Sequence, residues 1–150
     1  MLLKRIEQWD HLSFCLLFHR RSSYAVRRFS FWLSKTADGP LYLLLALCLW
    51  LLEIAGAEQF VLLLLYSFAL ELPLYLVLKN SIKRARPADV LTAFIHAHII
   101  PSDRFSLPSG HTAGAFVMAT LLAHCWPSLA LPLYLWAALV GWSRVALRVH

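Results

Sequence analysis

Residues 60–78 read FVLLLLYSFALELPLYLVL, and this run decides the fold. It carries a single charge, Glu71. As a helix rising 1.5 Å per residue it extends about 29 Å, close to the roughly 30 Å of a bilayer's hydrocarbon. Immediately upstream, residues 41–57 form another apolar run, interrupted by Glu53 and Gly56. The short link at 56–59 joins the two as an antiparallel hairpin. Downstream, residues 112–126 and 129–142 make a second apolar hairpin around Pro127. These last runs are short, and each reaches bilayer length by extending into the polar motif that flanks it. Every hairpin returns the chain to the side it left, so the polar window 79–111 and the segment from Ser143 onward share one face.

The whole composition agrees with that reading. Of 150 residues, 60% are hydrophobic and 15% charged, against about half and about a quarter in soluble domains. Disordered and freely soluble classes are therefore excluded. The fold expected is all-α, a polytopic membrane helix bundle with an amino-terminal interfacial helical segment. Residues 1–35 mix Trp9, Phe14, Phe18, Phe29 and Trp32 with Arg20, Arg21, Arg27 and Arg28, a pattern suited to lying along a headgroup layer. Asp38, Gly39 and Pro40 signal a turn. The division expected is one domain: an interfacial segment at 1–39, a first hairpin at 40–78, a polar site-bearing loop at 79–111, and a second hairpin at 112–150. Glu71 and Pro73 depart from a simple lipid-facing helix and are read as a structural kink with a hydrogen-bonded or protonated acid.

Lys and Arg number 14 against 8 Asp and Glu, a formal charge of +6. Basic chains meet nucleic acid, anionic headgroups or phosphorylated substrates. Position separates these: the cations cluster before Gly39 and between Lys79 and Arg104, and the aromatics are not interleaved with the second cluster, so no nucleic-acid platform is present. Cys15, Cys48 and Cys125 are isolated in apolar stretches and read as small buried hydrophobes. His96, His98 and Asp103 lack a fourth ligand at metal-site spacing and are not taken as a metal centre. His124, within an apolar run, reads as a core histidine.

Three polar clusters carry the chemistry. In the first, Lys79 and Arg86 are seven residues apart, about two helical turns, and point the same way before Pro87 stops the helix. An ammonium and a guanidinium on one face suit a tetrahedral dianion, although a basic patch touching anionic lipid has the same composition. In the second, Pro108-Ser109-Gly110-His111 opens an apolar helix. Ser109 caps, Gly110 admits close backbone approach, and the free amides of a helix start attract an anion. His111 just inside can give or take a proton near neutral pH. In the third, Ser143-Arg144 is followed by His150 at the far end of the second hairpin.

Taken together, K-x6-R-P (Lys79, Arg86, Pro87), P-S-G-H (Pro108 to His111) and S-R-x5-H (Ser143, Arg144, His150) resemble the three-part signature of the phosphatidic acid phosphatase type 2 superfamily, in the same order. The resemblance covers residues 79–150. It implies a phosphatase acting on a phosphomonoester or diphosphate of a membrane lipid, such as a polyprenyl diphosphate, phosphatidylglycerophosphate or phosphatidate. It implies His150 as the nucleophile that forms a phosphohistidine, and His111 as the acid for the leaving oxygen. Lys79, Arg86, Arg144, Ser109 and Gly110 would hold the phosphoryl oxygens. No metal or other cofactor is expected, since fixed cations neutralise the phosphate. The partners expected are the lipid substrate and the bilayer, not nucleic acid.

In the family an Asp shortly follows the third-motif histidine, and a membrane helix comes after it. The sequence stops at His150 without either, so the resemblance implies a chain cut short and of low activity as written. A rival of another class is a non-catalytic scaffold binding anionic lipid. Sidedness divides the indications. The turns at 56–59 and 126–128 carry no Lys or Arg, which places the basic face in the cytoplasm by the positive-inside rule. The resemblance instead implies a bacterial inner membrane protein with its site facing the periplasm, and that expectation is preferred because several of the counted cations belong to the site.

Overall fold

A computed structural model of the protein describes residues 24–82 and 107–147. Among the described residues all regular structure is helical: α1 (Tyr24–Lys35), α2 (Gly39–Leu51), α3 (Ala57–Ile82), α4 (Gly110–Cys125), a 3-10 turn (Pro127–Leu129) and α5 (Ala130–Ala146).

Helix α3 has 26 residues, about 39 Å at the helical rise, and extends beyond the expected run at both ends. It passes through Pro73 without a break, which bilayer helices tolerate because neighbouring groups satisfy the freed carbonyl. Only 6% of its most apolar window is buried inside the protein. Leu62, Leu65, Leu70 and Leu76 point outward; such a surface needs a hydrocarbon solvent. The stretch Pro127–Ala146 is likewise long and apolar enough to cross.

Helix α2 corrects the sequence reading. The apolar run expected over residues 41–57 is helical only to Leu51, because Glu53 adopts φ 51° and Gly56 φ 88°. Both values belong to the left-handed region, which ends a helix. At 13 residues α2 measures about 20 Å, short of a full crossing. Its start is well signalled, with Asp38 at the N-cap position and Pro40 in the first turn, where a missing N–H costs nothing.

Small residues let the helices approach. Helices α4 and α5 make the most extensive contact in the bundle, around Ala115, Met118, Ala119, Ala137 and Val140, all 1% exposed or less. A side chain added at Gly141 would begin 3.2 Å from Thr112 Cγ2, so α5 sits tightly on the first turn of α4. Such contacts hold membrane helices together where lipid offers no hydrophobic contrast. Helix α1 lies against α5 through the buried pair Ser30 and Ser34. Trp136 Nε1 donates to Thr36 Oγ1 at 2.9 Å, pinning the α1–α2 turn to α5.

Two further readings are corrected. Cys48 is exposed and Cys125 only partly buried, and His124 is exposed in the last turn of α4. In an almost uniformly apolar helix, burial cannot be phased from residue type.

Candidate active site

Residues from the α1–α2 turn, α3, α4 and α5 meet around one cleft. Ser109 occupies the N-cap of α4 with extended backbone, φ −84° and ψ 114°. Its Oγ accepts from the Thr112 amide at 3.5 Å and from Thr112 Oγ1 at 3.1 Å. Gly110 is the first helical residue, and a Cβ there would begin 3.3 Å from Tyr75 Cζ. Glycine is therefore what lets the α3 ring close over the start of α4. Tyr75 in turn accepts a hydrogen bond from Lys79 Nζ, one helical turn along. Lys79 is only 5% exposed, so the ammonium is held in place and not solvated at the end of its stem.

From the other side of the bundle comes Arg144, 8% exposed, in the last turn of α5. Its Nη1 donates to Ser34 Oγ at 2.9 Å. Gly110, His111 and Arg144 line a single cleft of about 390 Å³, together with Asp38, Tyr42, Glu71 and Tyr75. Lys79 joins that cleft through Tyr75. His111 is partly exposed, its Nε2 3.0 Å from Asp38 Oδ1. Arg86 and His150 lie outside the described residues, as do His96, His98 and Asp103.

Of the residues singled out in the sequence, the structure brings Gly110, His111 and Arg144 to one cleft, with Lys79 hydrogen-bonded to the cleft residue Tyr75 and Ser109 at the cap of α4. Asp38, Glu71 and Tyr75 of the cleft were not singled out as site residues. Asp38 was read only as a turn former, yet it contacts a side chain 73 positions away. Glu71, expected as a structural kink residue, lines the cleft. Tyr75 carried no signal beyond its spacing: with Glu71 and Lys79 it repeats every four residues along one face of α3. Among the described residues no group of His, Cys, Asp and Glu is arranged to hold a metal ion.

The structure is a membrane-embedded helical bundle in which a helix amino end, a guanidinium and an imidazole line one cleft, with the Lys79 ammonium hydrogen-bonded to the cleft residue Tyr75. Residues 60–150 match the family model of the PAP2 superfamily, and the chain belongs to that superfamily. The fold is also similar to the crystal structure of a transmembrane PAP2-type phosphatidylglycerolphosphate phosphatase from Bacillus subtilis. The TM-score is 0.70 at 23% identity, over 97% of this chain and 75% of the other.

Proposed function

We propose that this integral membrane protein is a lipid phosphate phosphatase that cleaves a phosphomonoester or diphosphate through a phosphohistidine. The observation carrying this reading is the single cleft that takes Gly110 and His111 from α4 and Arg144 from α5. In this reading the Gly110 amide, Ser109, Lys79, Arg86 and Arg144 hold the phosphoryl oxygens, offsetting the charge that spreads over them at the transition state. His150 attacks phosphorus, and His111 protonates the departing oxygen, then takes a proton from water as the phosphohistidine is hydrolysed. Those cations carry the neutralisation, so turnover needs no divalent ion.

The outward leucines of α3 support a cleft beside hydrocarbon, which favours a phosphate carried on a lipid. Polyprenyl diphosphate, phosphatidylglycerophosphate and phosphatidate all satisfy that description. The cleft faces the periplasm of a bacterial inner membrane in this reading, which puts the Gly56 turn in the cytoplasm.

The test is phosphate release from these three lipids by the full-length protein in vesicles, with and without EDTA. His111→Ala and His150→Ala abolish release, and EDTA leaves it intact. If both variants turn over at the parental rate, the basic cleft is only a headgroup-binding surface. A reporter fused at Gly56 that is active only in the periplasm reverses the orientation.

A further inference from the structure

Asp38 occupies the N-cap position of α2 with extended backbone, yet its carboxylate makes no cap hydrogen bond. An aspartate in that position ordinarily accepts from the first-turn amides. Here its oxygens go elsewhere: Oδ2 accepts from Lys35 Nζ at 3.1 Å, and Oδ1 stands 3.0 Å from His111 Nε2. The lysine is three residues away on α1, so the carboxylate is steered from its own side before it meets the imidazole. The arrangement matches the general form of a histidine whose one nitrogen is held by an acid while the other works.

Resting on the phosphatase reading above, we propose that Asp38 is the positioning residue for His111: it holds the Nε2–H, turns Nδ1 toward the departing oxygen, and favours the imidazolium before the proton is given. In the first step a lone pair of the His150 imidazole forms the P–N bond. The P–O bond to the lipid alcohol breaks with its electrons on oxygen, and that oxygen takes the Nδ1 proton. His111 is then neutral, its Nε2–H still on Asp38, so the ring does not swing away. In the second step Nδ1 takes a proton from water as the water oxygen bonds to phosphorus, and the P–N electrons return to His150.

Charges from every neighbouring element bear on the protonation of His111. Asp38, between α1 and α2, favours the imidazolium, as does Glu71 of α3 when it is ionised. Lys35 of α1, Arg144 of α5 and Lys79, which reaches the cleft through Tyr75 of α3, oppose it, and the hydroxyl of Tyr42 on α2 stands neutral between the acids. Asp38 is in hydrogen-bond contact with the ring, and opposite charges at such separations move a pKa by about one to three units.

The sign follows directly. A catalytic acid must be protonated, and a carboxylate beside it delays proton loss to higher pH. Asp38→Asn therefore moves the basic limb of the kcat profile down by about one unit or more, with turnover on that limb falling about tenfold per unit and KM little changed. Asp38→Glu restores much of the limb. Lys35→Met, which removes a competitor for the carboxylate, moves it upward and reports on the same pair should Asp38→Asn fail to fold. Carbon-13 histidine NMR, with the His111 signal identified by His111→Gln, reads the midpoint without catalysis. A parental enzyme whose limb and His111 midpoint both stay put in Asp38→Asn overturns the proposal and leaves the phosphatase standing. A parental protein that releases no phosphate, but whose His111 midpoint falls in Asp38→Asn, upholds the pairing and sinks the phosphatase.

Discussion

The ring of Tyr75 lies 3.3 Å from the point where a side chain on Gly110 would begin. This couples the first and second sequence motifs mechanically, because the same tyrosine accepts the hydrogen bond of Lys79. Gly110→Ala must displace the ring or the helix start. The expected cost is about 1–3 kcal/mol of overpacking. Phosphate release should fall about tenfold to a hundredfold, because small misplacements of catalytic groups are expensive. Adding Tyr75→Ala should recover melting temperature but not turnover, since it opens space while removing the partner of Lys79. Full activity in Gly110→Ala would show that the contact is slack.

Tyr75→Phe separates the two duties of that side chain. The ring remains over Gly110, while the buried ammonium of Lys79 loses its hydroxyl acceptor. Hydrogen bonds involving a charged group contribute about 1.5–3 kcal/mol. With that contact to Lys79 lost, kcat/KM should drop about tenfold, the equivalent of roughly 1.4 kcal/mol, with a smaller change in melting temperature than in Gly110→Ala. An unchanged kcat/KM would detach Lys79 from substrate binding.

Much of this arrangement was legible in the sequence, and the remainder was hidden for physical reasons. The type and position of α3 follow from an apolar run whose single charge is Glu71, although the helix extends past that run at both ends. The parity of two hairpins was enough to bring His111 and Arg144 to one end. The early stop of α2 was marked only by Glu53 and Gly56, read as interruptions of a continuing apolar run; the left-handed backbone they adopt is not written in hydropathy. Nor could the outward placement of Cys48 be read: lipid and a protein core are equally apolar, so hydropathy has no phase to report. Asp38 escaped notice because its turn-forming character is local, whereas its contact with His111 arises from the packing of α4 against the rest of the bundle.

Ser34 and Ser30 face α5 one turn apart and predict opposite results. Ser34 Oγ accepts from the buried guanidinium of Arg144, so Ser34→Ala should lower stability by about 1.5–3 kcal/mol and raise KM by loosening that side chain. Ser30 Oγ is buried with no hydrogen-bond partner among the described residues. Removing a buried, unsatisfied hydroxyl relieves a desolvation cost, so Ser30→Ala should be neutral or stabilising. Thermal melts of the two variants in the same detergent decide the matter, and equal destabilisation would mean that only the small size of these residues is used.

The membrane assignment makes a prediction that a water-soluble bundle would reverse. Leu70 is 75% exposed near the middle of α3. If water lay there, Leu70→Arg would improve solubility and change little else. In hydrocarbon an arginine at mid-helix costs about 2.5–3.5 kcal/mol of insertion free energy. At Leu78, near the end of α3, the long side chain reaches the headgroups and the cost is much smaller. Translation into microsomes, with glycosylation sites flanking α3, should therefore show impaired insertion for Leu70→Arg and near-parental insertion for Leu78→Arg. Equal insertion of both would mean that the outward leucines of α3 do not face the bilayer interior, and the placement of the cleft beside hydrocarbon would fall with it.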